Sequence, residues 1–263
     1  MKRNIHGQRA IVTGASSGIG REIALELARH HVAQILLARN AARLDEVAQA
    51  ANMLGGHTDA FAGDITDESV RQQAVEHALT NLGGLDLFIN NAGEGRIGPF
   101  DQSDSHRLRR LLEVNLVAPL ELIRAALPFL KQGRQPMIVN IGSVLGHVAV
   151  PNKSEYCASK FALRGFSDAL RAELLDDGID VLHVAPSTTR TKFFEKAQPG
   201  TGTVRLHQWN SMSAEEVARH TVRAIELGRS EVILSIGGWG LVWLHRWFPK
   251  WTRSAVARLT PRE

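Results

Sequence analysis

Short segments in which nearly every position is apolar alternate along the chain with longer segments whose apolar positions recur every three or four residues. Ala10–Val12, Ile35–Leu37, Leu87–Ile89, Met137–Val139 and Val181–Val184 form the first set. A strand that is apolar on both faces belongs in a parallel sheet covered on both sides. Residues 18–30, 41–53, 67–81, 104–130, 154–177 and 213–228 form the second set, and the last opens on Ser213-Ala214-Glu215-Glu216, the pattern of a capping box. This β-α-β alternation predicts the α/β class, with one doubly wound parallel sheet, helices on both faces and ligands at the carboxyl ends of the strands.

With 263 residues the chain has the length of a single α/β domain. An apolar share of 44% and a charged share of 22% exclude a disordered chain. One Cys excludes a disulfide framework and suits a reducing compartment. No closely spaced Cys and His residues give a reason to expect a metal. The net charge of +4 is too small to point to nucleic acid. Met1-Lys2-Arg3-Asn4-Ile5-His6-Gly7 has no apolar stretch of a secretory signal behind it. The longest uncharged apolar run, Val232–Leu244, contains Gly237, Gly238 and Gly240 and is shorter than the roughly 20 residues of a spanning helix. A cytoplasmic protein is the expectation.

Thr13-Gly14-Ala15-Ser16-Ser17-Gly18-Ile19-Gly20 directly follows the first strand and leads into a helix. Gly14, Gly18 and Gly20 permit a tight turn, close approach of a pyrophosphate and packing of helix on strand. With Ser16, Ser17 and Ile19, the helix start offers free N–H groups to an anion. Strand before and helix after make this a dinucleotide-binding turn, and the sheet a single Rossmann-type one. An NAD site places a carboxylate at the end of the second strand, where this chain reads Leu36-Leu37-Ala38-Arg39-Asn40. Arg39 can instead fork onto a ribose 2′-phosphate, so NADP(H) is expected to be preferred over NAD(H). The plainer alternative is that Arg39 is a solvated loop charge.

The chain contains one tyrosine, Tyr156, four residues before Lys160. That spacing puts both on one helix face, where an ammonium favours the phenolate and draws the phenol toward a working pH. Ser143 follows the strand Ile138-Val139-Asn140-Ile141, at the carboxyl end where such sheets place their sites. Together with Asp64, Asn90-Asn91-Ala92-Gly93 and Asn115, in the same order and spacing, these motifs resemble the short-chain dehydrogenase/reductase family over essentially the whole chain.

The resemblance implies that Tyr156 exchanges a proton with the substrate oxygen while a hydride passes between substrate carbon and nicotinamide. It implies that Lys160 holds the nicotinamide ribose and lowers the Tyr156 pKa, that Ser143 orients the substrate oxygen, and that Asn115 supports a water chain. Asp64 and Ile65 would border the adenine, Asn90, Ala92 and Gly93 the ribose and phosphates, and Pro186 and Thr191 the nicotinamide side. For Asn90 and Asn115 a structural role stays open beside the catalytic one. In one departure, Ser187 follows Pro186 where the family commonly has Gly, which predicts an altered loop beside the nicotinamide. Cys157 is assigned no role.

Trp239, Trp243, Trp247 and Trp251 recur every four residues, with Leu244 and Phe248 beside them and His245, Arg246, Lys250 and Arg253 pointing elsewhere. Pro249 predicts two short helices here. A membrane-surface contact through 239–253, an apolar substrate, a partner subunit and packing on the chain's own core all stay open. Residues 1–236 read as the dinucleotide-binding catalytic domain, with a substrate loop at about 187–212, and 237–263 as a Trp-rich basic extension of that domain. The expectation is an NADP(H)-dependent oxidoreductase interconverting a secondary alcohol and a carbonyl on a small-molecule substrate, with a mild preference for an apolar one. It is expected to be a homo-oligomer and cytoplasmic, with peripheral contact with the inner membrane face one of the readings left open for the tail. The competing classes are a non-catalytic NADP(H) sensor and a membrane-surface module on the same fold.

Overall fold

The computed structural model of the protein describes residues 2–190, 193 and 211–259. Seven strands make one wholly parallel sheet: β1 (Arg9–Thr13), β2 (Ala33–Ala38), β3 (His57–Ala62), β4 (Leu87–Asn90), β5 (Met137–Ile141), β6 (Asp180–Ala185) and, after a two-residue parallel pair β7 (Thr189–Arg190) and β8 (Met212–Ser213), β9 (Glu231–Ile233). Their order across the sheet is β3-β2-β1-β4-β5-β6-β9. The five apolar runs are the five central strands. β3 and β9 are the edges, and their polar residues keep them out of a search for segments apolar on both faces.

Alternate residues of each central strand feed two cores. Val12, Leu36, Ile89, Val139 and Leu182 pack against α1 (Gly18–Arg29), α2 (Ala41–Met53) and α7 (Ala214–Glu226) through Ile23, Leu27, Leu44, Val47, Val222 and Ile225. On the other face Ile11, Ile35, Phe88, Ile138 and Val181 meet α3 (Glu68–Leu82), α5 (Ala118–Leu130) and α6 (Ser154–Glu173) through Val75, Leu122, Ala126 and Leu170. Apolar burial of this kind contributes about 25 cal/mol per Å² and holds both layers in place.

The segment 104–130 is not one helix. α4 (Ser105–Leu112) runs into a π turn, Glu113–Val117, before α5 begins. A π turn inserts an extra residue into the helical winding and re-aims side chains, and it is common at functional sites. Ser213 and Glu216 form the expected capping box at the start of α7. Beyond β9, α8 (Ile236–Trp247) and α9 (Pro249–Leu259) are separated at Phe248, as Pro249 predicts. Among the described residues no helix is long and apolar enough to cross a membrane.

Strand order reverses between β1 and β4. Connections leave in opposite directions there and a crevice opens at the carboxyl ends.

Candidate active site

That crevice is a cavity of about 980 Å³. Its floor is the glycine turn. Gly14 and Gly18 have φ of +65° and +57°, the left-handed region that suits residues without a Cβ. A Cβ on Gly14 would lie 2.8 Å from Ala92 Cα, and one on Gly20 would collide with Asn91 Nδ2 and Gly14 O. Gly20 therefore packs behind the turn, whereas Gly14, Ser16, Ser17, Gly18 and Ile19 line the crevice. Ser17 stands at the N-cap of α1 without capping it, and no acidic residue lies in the first turn. These uncompensated N–H groups and the glycine cradle fit a dinucleotide pyrophosphate.

Thr13 and Asn91 brace the cradle. Thr13 Oγ1 accepts from Asn91 N and Ala92 N, both at 3.0 Å, while Asn91 Nδ2 donates to Thr13 O (3.0 Å) and Gly14 O (3.3 Å). Ala92 and Gly93 line the crevice beyond it. Asn90 does not. Its amide is buried in the sheet, donating to Asn140 Oδ1 at 3.2 Å and Pro119 O at 3.4 Å.

On the opposite wall α6 presents Tyr156 and Lys160, 5% and 4% exposed. Tyr156 shares a hydrogen bond with Ser143, and Phe193 meets its ring edge-on at 6.0 Å between centroids. Ser143 also caps the 3₁₀ turn that follows it, accepting from Leu145 N at 3.1 Å. The hydroxyl therefore has a structural duty as well as a place in the site. Lys160 Nζ donates to Ile141 O at 3.0 Å and lies 5.8 Å from the Tyr156 ring centre.

Burial brings Lys160 down to about 8 and drives the Tyr156 phenol up, against the hydrogen bond from Ser143. The direction for Tyr156 is opposite to that expected from the four-residue spacing. In this dry wall, desolvation of the phenolate outweighs attraction to an ammonium turned toward a carbonyl.

Asn115 sits in the π turn, behind the crevice. Its Oδ1 accepts from Glu94 N at 2.7 Å, and its Nδ2 donates to Glu94 O at 2.9 Å and Ser159 Oγ at 3.2 Å. Ser159 Oγ donates in turn to Tyr156 O. Asn115 thus ties the segment following Gly93 to the helix that carries Tyr156.

The adenosine end is lined by Arg39, Arg43, Asp64 and Ile65. Arg39 is 59% exposed and leans toward two carboxylates, Glu94 at 3.5 Å and Asp64 at 4.0 Å. Arg110 holds the same pair, at 2.8 Å from Asp64 and 3.6 Å from Glu94. Burial works against the Asp64 carboxylate, but hydrogen bonds from Thr66 and Arg110 keep it below the usual range. Pro186 accepts from Val144 N at 2.9 Å. Ser187, the residue in place of glycine, lines the crevice, and its Oγ has no hydrogen-bond partner among the described residues. Thr191, Phe194 and the stretch 198–203 lie outside the described residues.

Asn91, Glu94, Arg110 and Ser159 belong to this site and were not singled out from the sequence. Only Asn91 stood inside a recognisable motif.

A family model described as short chain dehydrogenase matches residues 8–201. The chain belongs to the short-chain dehydrogenase family. It is 30% identical over 250 residues to dehydrogenase/reductase SDR family member 7 of Homo sapiens, covering 91% of this chain and 74% of that protein. It is 32% identical over 256 residues to hydroxysteroid 11-beta-dehydrogenase 1-like protein B of Xenopus laevis, covering 94% and 85%. A short-chain dehydrogenase/reductase from Burkholderia phymatum, solved in complex with NAD, superposes with a TM-score of 0.86 at 21% identity and 99% coverage of both chains. As a short-chain dehydrogenase the protein is an oxidoreductase of alcohol and carbonyl groups, built on the Rossmann-type sheet described above.

Proposed function

We propose that the protein is an NADP(H)-dependent oxidoreductase that interconverts a secondary alcohol and a carbonyl on a small-molecule substrate, an apolar one by mild preference, with Tyr156 as general acid and base. The observation that carries this reading is the buried Tyr156 phenol, hydrogen-bonded to Ser143 at the mouth of the crevice that starts at the glycine turn. A bound nicotinamide dinucleotide supplies the hydride. Ser143 orients the carbonyl oxygen against Tyr156. Tyr156 gives its proton to the oxygen when a carbonyl is reduced and takes it back when an alcohol is oxidised. Lys160 spends one of its three donors on Ile141 O and keeps the others for the cofactor's ribose. Asn115 positions the Glu94 backbone and α6 about the reacting atoms. Phe193 beside Tyr156 gives the substrate end an apolar side. Arg39 and Arg43, together at the adenosine end, supply the guanidinium groups for a 2′-phosphate. Asp64 and Ile65 border the adenine.

The alternative of a non-catalytic NADP(H) sensor has no use for a buried Tyr156–Ser143 pair. Beyond the catalytic domain, residues 1–236, we read the extension 237–263 as a contact with an anionic membrane surface. Trp239, Trp243, Trp247 and Trp251 are 49–63% exposed, so packing on the chain's own core does not account for them. Arg246, Lys250 and Arg253 supply the complementary charge.

The test is a paired titration with NADPH and NADH, followed by a screen of carbonyl compounds, with Arg39→Asp alongside. NADPH binds at least tenfold tighter, the preference disappears in Arg39→Asp, and NADPH is consumed with a carbonyl compound. Equal binding of the two cofactors refutes the 2′-phosphate assignment. Tight binding without turnover on any carbonyl compound or alcohol turns the reading to the sensor.

A further inference from the structure

Away from the crevice, three side chains from separate segments meet at the β6–β9 edge of the sheet. His147 follows the turn capped by Ser143, His183 lies in β6, and Glu231 opens β9, where the strand register sets it opposite His183. His147 Nε2 and His183 Nδ1 each lie 3.4 Å from Glu231 Oε1, and all three atoms fall within 4.8 Å of one another. The two imidazoles are 7% and 0% exposed. Beyond these long contacts to Glu231, His147 Nε2 and His183 Nδ1 make no well-formed hydrogen bond among the described residues, and His183 Nε2 has no partner there. Buried polar atoms without partners are costly and rare. A Cβ at Gly142 would collide with the His183 ring, so a glycine stands where the imidazole needs room.

We propose that His147 Nε2, His183 Nδ1 and Glu231 form a binding site for a divalent cation of the zinc class. The site stands apart from the oxidoreductase reading and does not rest on it. Two imidazole nitrogens with one carboxylate favour borderline first-row ions over Mg²⁺ and Ca²⁺, which take oxygen ligands. A tetrahedral ion with ligands at about 2.0–2.1 Å holds them about 3.4 Å from each other, the separation that two of the three pairs already have. Glu231 is part-exposed, which leaves the fourth position to water.

The groups facing the cluster are compatible with this. Burial, with Arg164 next, holds His147 below its ordinary value, and the contact with His183 leads the interactions that hold Glu231 below its own. Arg164 of α6 supplies a positive charge to Glu231, with Nε at 3.3 Å, and is itself 35% exposed, so it can turn outward as a metal enters. Asp168, farther along α6, adds negative charge on the same side. A bound ion joins the turn that carries Ser143 to β6 and β9, so its consequence is a stiffer catalytic turn.

The test uses the untagged full chain stripped with a chelator. Zn²⁺ is titrated against a chromophoric chelator, and Co²⁺ separately. One equivalent of Zn²⁺ binds, and Co²⁺ gives the visible absorption bands of a tetrahedral ion. Glu231→Gln, which keeps the side chain's shape, and His147→Asn each weaken binding at least tenfold in protein that still unfolds cooperatively. Arg164→Gln, which removes the competing cation, tightens it. Zn²⁺ raises Tm in the wild type and not in Glu231→Gln. Absence of stoichiometric Zn²⁺ binding overturns the proposal. So does binding of equal strength in Glu231→Gln and His147→Asn, which assigns the ion to surface histidines.

Discussion

Side chains spaced by four occur twice on helices of this protein, with opposite outcomes. On α6, Tyr156 and Lys160 point inward and are almost wholly buried. On α8 and α9, Trp239, Trp243, Trp247 and Trp251 point outward and stay half-exposed or more. An ordinary amphipathic helix hides rings and shows charges, so α6 departs from it at Lys160 and the last two helices at their indoles. Spacing fixes which side chains share a face, but the neighbouring elements decide what that face meets. α6 is clamped between the sheet, the Ser143 turn and the π turn that carries Asn115. α8 and α9 come after the edge strand β9 and have only one flank to pack on, where Gly238 brings α8 close to Val144 and Ser187. Both inversions work against folding, and such local conflicts are expected where function holds the residues in place.

Replacing the inward pair tests this most strongly. Tyr156→Phe keeps the ring and its burial and removes only the hydroxyl. Turnover falls by about 10²–10⁴-fold, the range for a lost general acid, while cofactor affinity measured by tryptophan-to-nicotinamide energy transfer changes little. Turnover within tenfold of the wild type would remove Tyr156 from the chemistry and leave α6 as packing only.

Lys160 gives a smaller effect, and one that pH reveals. Its folded value of about 8 lies below the ordinary 10.5, because burial penalises the ammonium. Between those values the unfolded chain holds a proton that the folded chain has released, so stability rises with pH across pH 8 to 10. Below pH 8 both states carry the charge and the folded state bears the full penalty, on the order of 3 kcal/mol. Above pH 10 the raised Tyr156 acts the other way, since the unfolded phenol ionises first. The measurement is the urea midpoint of wild type minus Lys160→Met from pH 7 to 10, without cofactor. A difference that narrows as pH rises is expected, and a constant difference shows that Lys160 titrates as it does in water.

Much of this arrangement was legible in the sequence because it is local. Strand, glycine turn and helix are contiguous, so Gly14, Gly18 and Gly20 announce the cradle, and Pro249 announces the break between α8 and α9. What was hidden depends on residues far apart in the chain or on burial. Asn115 was named as a site residue, but its pair of hydrogen bonds to the Glu94 backbone depends on a π turn that periodicity reads as plain helix. The capping duty of Ser143 and the upward shift of Tyr156 follow from how tightly that wall is packed. Arg39 reads as a lone charge, yet it shares Asp64 and Glu94 with Arg110, from three other segments. His147, His183 and Glu231 show no metal-ligand spacing because the sheet register, not the sequence, brings them together.

The outward stripe should matter least to the fold. Exposed side chains contribute within about 0.5 kcal/mol of their replacements, so Trp243→Ser, Trp247→Ser and Trp251→Ser combined leave the urea midpoint nearly unchanged. The same triple substitution abolishes flotation with vesicles containing phosphatidylserine. Flotation of the wild type weakens as salt rises, because Arg246, Lys250 and Arg253 act through a screened surface attraction. Unchanged flotation of the variant would free the indoles from the membrane. A fall in stability accompanied by loss of an oligomer in sedimentation would give the stripe to a second copy of the chain. In that event the contrast with α6 disappears, because the tryptophans too would be buried in the working assembly.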